Sequence, residues 1–447
     1  MKRSTRRKIF YGSIVFFLLA CVGVLFYAQG YDFDPSNGHV SKTGGVSLVS
    51  NTSAEIYLDG KLTGNTSLLQ HGFSQSRLLP GKHRIELRKA DYQTWSKEFM
   101  VSAGFVFDLG EAYLPRSQAL IQTLLPDIKP ISYSSNNSYL AGWVGDDLVF
   151  YDLNRQRVSV TLTQKENIDS TKLNIVWATD NQTAVLYDSK LAWAVDLGGQ
   201  TYQVVNLPRT FLRSDTQLLA GWIYALGSQK NTPNNLAYFD FNKTSSGTLA
   251  NGVSSFLVDS GSVFFTSIAS STIWQIKPNQ INPVQLSETA LPAKAKLIKI
   301  INTEEATIIS TDVGLFTLNV EKKLIKIADA VDNLTLSPDQ AILVWSVDKE
   351  LWMLLLKSNP LRAELITGKP IFLLHKGETI SNLFWLDDQY LYLTSPGGLD
   401  LVEIVSQTQS VIYQLVGRDS GLSSIVLPTN REKLIWLNQG RLESAEF

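Results

Sequence analysis

Histidine and cysteine, the side chains most often recruited as metal ligands, bases and nucleophiles, are scarce here: four histidines and one cysteine in 447 residues. His71 and His83 are separated by a turn and a strand and have no carboxylate or cysteine at metal-ligand spacing, so both read as ordinary surface or half-buried histidines. His39 lies in a linker, and a Ser–His–Asp triad would have to use His375, whose setting in LLHKGET reads as a turn. No G-x-S-x-G elbow and no glycine-rich loop with a lysine is present. Carboxylates are common enough to supply a glycosidase-like pair. The adjacent acids Asp146-Asp147, Glu304-Glu305 and Asp387-Asp388 nevertheless fall at turns, where they satisfy local backbone N–H groups. Asp32-x-Asp34 followed by Asn37-Gly38 faintly resembles a calcium loop but lacks the bidentate acid, and reads as a polar stem. The expectation is no catalytic, cofactor-binding or metal-ligating residue.

Tryptophan is the surplus. Trp143, Trp177, Trp193, Trp222, Trp274, Trp345, Trp352, Trp385 and Trp436 are spread through the long second part of the chain, several at equivalent strand positions. Packing between repeats accounts for most of them; some are left to line a funnel or rim and hold sugar rings or peptide segments.

The elements that position these residues begin with an anchor. MKRSTRRK carries five basic and no acidic side chains over residues 1–8, and Ile9 to Ala28 are twenty residues without a charge. A helix of that length spans about 30 Å, the hydrocarbon thickness of a bilayer. Basic residues before it, with Asp32 and Asp34 after it, place the N-terminus in the cytoplasm and residues 29–447 outside. Two other fates stay open: cleavage as a signal peptide, and lipidation at Cys21 within Leu18-Leu19-Ala20-Cys21. Since Cys21 is the sole cysteine, the exterior part forms no internal disulfide and is stabilised by packing alone. With 40 basic and 41 acidic residues, nucleic acid is not an expected partner.

After a linker at 29–43, short alternating strands broken by turns run from 44 to 104. Ala54 to Leu58 meets the tight-turn pair Asp59-Gly60, and Pro80-Gly81 precedes Lys82 to Arg88, which places His83, Ile85 and Leu87 on one face. This is a small antiparallel β-sandwich. The run GGVSLVSNTSAEIYLDGKLTGNTSLL, with LLPGKHRIELRKADYQTWSKEFMVSAG, resembles the PEGA domain family through Ser50, Ala54 to Gly60, Gly64 with Thr66, Pro80-Gly81 and Tyr92. It departs at Asn51, Ser67 and Asp91, all in turns. The resemblance implies an extracytoplasmic spacer or binding module, chiefly bacterial or archaeal and without known catalysis.

A second linker, 105–117, leads to a recurring unit over 118–447. Taking Leu140, Ala184, Leu219, Phe264, Thr307, Ile342, Leu391 and Leu434 as markers, copies recur every 35–49 residues, about 42 on average, the size of a four-stranded propeller blade. Ser337-Pro338-Asp339-Gln340 resembles the Ser-Pro-Asp-Gly turn of WD40-like and TolB-type propellers, with Gln340 at the glycine. Asp146-Asp147, Ser189-Lys190 and Asp348-Lys349 mark hairpin turns. Eight markers suggest eight blades, with seven the alternative and a tandem of β-sandwiches a third choice. Gln118 to Leu125 is expected to supply the outer strand that the last copy lacks.

The fold expected is therefore all-β behind an N-terminal transmembrane helix. The function expected is non-enzymatic: membrane-anchored, extracytoplasmic binding or scaffolding in the cell envelope. Its partners are the bilayer, through residues 9–28, and a protein or cell-wall glycan of unknown identity. An envelope hydrolase acting through the propeller funnel and a structural subunit of an envelope complex are the alternatives. Two coupled carboxylates in the funnel would mark the hydrolase; apolar and aromatic surface there would mark the binding module.

Overall fold

The computed structural model describes residues 3–34, 38–67, 70–163, 168, 173–188, 191–208, 211, 216–219, 221–227, 234–241, 243–277, 280, 282–358, 366–404, 410–418, 422–431 and 433–447. Ser189-Lys190 lies outside these. One helix, Arg3–Ala28, takes in most of the basic tail, and its Phe10–Ala28 stretch is long and apolar enough to cross a membrane. Its apolar side chains are exposed all round. In water that is untenable, and in lipid it is what an anchor requires.

The expected linker at 29–43 is structured. Tyr31–Asp34 pairs antiparallel with His39–Lys42, so Asp32 and Asp34 stand on a strand rather than a polar stem. The Thr43 amide and hydroxyl both donate to the Gly30 carbonyl, at 2.8 and 2.6 Å. Arg77 reaches back to the anchor: its Nη2 donates to the Tyr27 carbonyl at 3.1 Å and its guanidinium lies 3.2 Å from the Tyr27 ring centroid. A cation at the last helical carbonyls is favoured by the helix dipole.

Two sheets follow. One orders Lys61–Asn65, Glu55–Leu58, Gly81–Arg88 and Trp95–Val101; the other orders Gly72–Leu78, Gly44–Ser50 and Val106–Ala112. Alternation places Ile85 and Leu87 inward as expected, against Val46, Leu48, Ile56, Trp95 and Phe99. Asp59 and Gly60 take positive φ at the turn between Glu55–Leu58 and Lys61–Asn65. The segment 105–117, expected as a linker, instead contributes the strand Val106–Ala112, which pairs with Gly44–Ser50 in parallel. The two-sheet unit is thus larger than 44–104 and not wholly antiparallel. The pattern is hidden in sequence by a register shift between Ser47 and Val49, opposite Gly110 at φ 72°.

Among the described residues the remaining strands form eight further four-stranded antiparallel sheets. Sheets 1 to 7 span 129–162, 174–205, 217–251, 253–285, 297–328, 333–375 and 382–417 in simple up-and-down order. Sheet 8 is composite: Leu422–Val426, Leu434–Asn438 and Arg441–Glu446 are joined by Leu120–Leu125, which pairs with Arg441–Glu446. The strand expected from Gln118 to Leu125 therefore takes the fourth position of this sheet. Pairing it there covers the open side of Arg441–Glu446 and brings this sheet to the four strands of its neighbours.

Each sheet buries both faces against its neighbours. Phe150 and Trp193 meet between sheets 1 and 2, Phe264 and Phe316 between sheets 4 and 5, and Leu315 and Trp345 between sheets 5 and 6. Ile435 and Leu437 of sheet 8 share a core with Leu140 and Tyr151 of sheet 1. All nine tryptophans after residue 117 belong to such cores or pack against them. Turns clip neighbours together: Asn181 Oδ1 accepts from the Asn136 amide (3.3 Å), Asp388 Oδ1 from the Asp339 amide (2.9 Å), and Asn154 Oδ1 from the Asn430 amide (3.0 Å). In the turn Ser337 to Gln340, the Ser337 hydroxyl accepts from the Ile342 amide (2.9 Å), and Gln340, at φ 59°, occupies the left-handed conformation for which glycine is better suited. Gly314 and Gly398, at φ 136° and 127°, open the third strands of sheets 5 and 7, where a Cβ would collide with the carbonyls of Ala328 and Val416.

Candidate functional site

The first strands of successive sheets lie beside one another, so their outward side chains form one shared surface. Trp177 Nε1 donates to Ser132 Oγ (2.9 Å), Gln217 Oε1 accepts from the Val258 amide (2.6 Å), and the Tyr133 hydroxyl donates to the Ser424 carbonyl (3.5 Å). Three of these strands carry a bulge at the same place, at Ile131, Ser254 and Ile298, and each of these side chains is left exposed. Bulges of this kind re-aim a side chain away from the ladder.

Asp259 is the carboxylate carried by these first strands among the described residues, and it accepts from the Ile300 amide at 3.3 Å. Across from it Lys299 Nζ donates to the Leu334 carbonyl at 3.3 Å. Burial holds the Lys299 ammonium below its ordinary range, with Asp259 pulling the other way. The arrangement is a lone cation beside a carboxylate already in use, among Ile, Leu, Trp and Tyr. It suits contact with a partner's polar groups better than proton transfer.

The second candidate is the junction of the two-sheet unit with sheets 7 and 8. Lys97 Nζ lies 2.5 Å from Glu403 Oε1, and both side chains are almost wholly buried. Trp95 and Phe99 flank Lys97 on the same strand, and Tyr390 and Tyr413 flank Glu403. The Tyr390 hydroxyl donates to the Glu111 carbonyl (3.0 Å) and accepts from the Tyr113 amide (3.1 Å). Burial raises the phenol of Tyr390 well above its usual range and pushes Tyr113 up to about 12. One apolar core runs from Val46 through Trp95, Leu114 and Tyr392 to Trp436 and Phe447. A cleft of about 530 Å³ opens beside it, lined by Lys82, Arg84, Met100, Phe107 and Ser410.

A third concavity, about 410 Å³, lies between sheets 3 and 4. Trp222 stacks on Tyr238 there, with centroids 5.1 Å apart, beside Lys243, Lys277 and Gln280.

The structure distributes the sequence candidates as follows. His375 ends the fourth strand of sheet 6 and is exposed, a strand end rather than a turn. His83, expected without a carboxylate partner, has one: Nδ1 is 2.8 Å from Asp59 Oδ2, and Nε2 is 2.8 Å from the Leu79 carbonyl. Both contacts pin turns, and among the described residues no group of three potential metal ligands occurs. Glu304-Glu305 forms a turn, as does Asp146. Asp387 Oδ1 accepts from the amides of Gln389 and Tyr390 (2.7 Å each), the role expected of a turn acid. Burial raises the Asp387 carboxyl, and burial together with the nearby Asp387 charge raises that of Glu111. Sequence reading missed Lys97, Glu403 and Glu111. Only Lys97 left a signal, a charge in register with Trp95, Phe99 and Val101 on the inward face of an alternating strand.

No family model matches the chain, and no curated protein matches it. Among solved structures it is similar to Hsv2 of Kluyveromyces lactis, with 11% identity, 64% of this chain and 97% of that one covered, and a TM-score of 0.43. It is similar to the WD40 domain of SCAP from fission yeast, with 12% identity, 74% and 98% covered, and a TM-score of 0.41. A computationally designed protein, Ika8, gives 9% identity, 74% and 100% covered, and a TM-score of 0.44.

Proposed function

We propose that this chain is a membrane-anchored binding or scaffolding protein of the bacterial cell envelope, with residues 29–447 on the extracytoplasmic side. Sheets 1 to 8 then close as an eight-bladed propeller. The two-sheet unit, whose Ala54 to Gly60 and Pro80-Gly81 carry the PEGA resemblance, is the spacer beneath it. The observation that carries this reading is the junction. A tether meant only to hold a protein near a membrane needs no shared core and no sealed Lys97–Glu403 pair. Those features fix the orientation of the propeller relative to the two-sheet unit that stands next to the anchor, which matters when a surface has to face a partner. The partner, a protein or a cell-wall glycan, would meet the first-strand surface or the Trp222–Tyr238 cleft; aromatic faces beside Gln280 suit a sugar ring.

The test is a photo-crosslinking residue at Ile298 or Trp222 in intact membranes. A defined adduct at either position, absent from the exposed Val320 position, is expected; equal labelling at all three overturns the reading. An external tag after Phe447 is expected to be cut by protease added to intact cells.

A further inference from the structure

The parallel pairing of Gly44–Ser50 with Val106–Ala112 sets both strands pointing the same way. The first starts next to the anchor, since Thr43 is bonded to Gly30 and Arg77 to Tyr27. The second must therefore also start on the membrane side and end on the side of the repeated sheets, which it enters through Leu114. At about 3.3 Å per residue, the two seven-residue strands set the propeller roughly 20 Å beyond that starting edge.

What lies at the starting edge is apolar. Phe33 and Val40 are directly opposed across the hairpin and are 58% and 57% exposed. Phe105 and Val106, in the loop and first position of Val106–Ala112, are 71% and 65% exposed. The Gly104 amide donates to the Thr43 carbonyl at 2.9 Å and the Gly45 amide to the Phe105 carbonyl at 2.9 Å, which ties this loop to the foot of the hairpin. Two separate segments thus present aromatic and branched side chains to water at the one edge from which the membrane helix leaves. Arg77 at the same edge is committed to the helix end and the Lys42 side chain lies over Gly104, while Asp32 and Ser41, paired across the hairpin, take the face opposite to Phe33 and Val40.

The geometry points to a bilayer-contacting face: Phe33, Val40, Phe105 and Val106 insert into the interfacial region of the outer leaflet. This surface is continuous with the anchor, and that continuity selects lipid over a soluble partner. Amphipathic elements in such positions seat their apolar side about 5–10 Å into the headgroup–acyl boundary. The helix and this face together give the unit a second point of attachment, so that it stands on the membrane instead of swinging about Gly30. The inference rests on the anchor reading, and the test separates the two.

The full chain in a Cys21→Ala background carries one NBD fluorophore at a time, on Leu18→Cys, Phe33→Cys, Phe105→Cys or Val320→Cys, in phosphatidylcholine vesicles. Lipids with a doxyl quencher high or low on the acyl chain report depth. Expected are strong quenching at 18 by the deep quencher, loss of more than half the emission at 33 and 105 with the shallow quencher, and no loss at 320. Quenching at 18 but none at 33 and 105 overturns the face and leaves the anchor standing, whether those positions are in water or covered by a second copy. No quenching at 18 overturns the anchor and the face together.

Discussion

The interfaces between successive sheets and the junction with the two-sheet unit are built differently. Between sheets the cores are aliphatic and aromatic, with Phe150 and Trp193, Phe264 and Phe316, and Leu315 and Trp345 in shared clusters, while polar contacts such as Asn136–Asn181 and the Lys376–Asp400 pair lie at turns and strand ends. At the junction an equally apolar core encloses a charged pair and the hydroxyl of Tyr390. Apolar packing tolerates many arrangements of similar volume. A buried ion pair tolerates very few, because moving either partner strands a charge. The repeats therefore obtain stability by accumulation, whereas the junction obtains one fixed orientation.

Lys97→Met is the strongest way to break the contrast. It takes the buried cation away from Glu403, which keeps the Val411 amide, and a loss of about 3–5 kcal/mol is expected in denaturant melts. Adding Glu403→Leu should recover most of that loss while letting the two parts reorient, read as a changed distance distribution between spin labels on each. Next, Tyr390→Phe strands the Tyr113 amide and the Glu111 carbonyl and should cost about 1–3 kcal/mol. Ile342→Val, between sheets 6 and 7, should cost only about 0.5–1.5 kcal/mol and add independently to a like change such as Ile435→Val between sheets 8 and 1. Coupling between two such distant apolar changes would show that the repeats are not independent packers.

The smallest effect has the opposite sign. The Glu111 carboxyl is raised by burial and by Asp387, so the folded state holds its proton more tightly than the unfolded chain does. Its contribution favours folding at pH below the unfolded carboxyl value and is lost as pH rises through the raised folded value. Glu111→Gln should therefore stabilise the junction at neutral pH and do nothing near pH 4, by a margin below that of Ile342→Val. Thermal melts across that range check the slope.

Much of the repeated architecture was legible in the residues. The interval between apolar strands, the turn at Ser337 and the tryptophans in equivalent positions all foretold stacked four-stranded sheets, and Gln118 to Leu125 was recognised as the segment that completes the last, its strand running over Leu120–Leu125. Gln340 was legible as a departure, and its left-handed φ gives the reason that glycine stands there in similar turns. The segment 105–117 was misread as a linker because a parallel partner some sixty positions earlier leaves no local turn signal. His83 was read without its carboxylate because Asp59 lies in the turn after a neighbouring strand of the same sheet, 24 positions away. The junction was illegible for the same reason on a larger scale: Lys97 and Glu403 are 306 positions apart.

By itself the sequence determined what depends on neighbours along the chain: an uncharged helix that water rejects, alternation that gives each strand a buried face, and turn residues that end it. Tertiary structure alone decided which strand lies beside which and which charges meet in a core. Those outcomes depend on how whole sheets fill space against each other, and no window of adjacent residues contains that information.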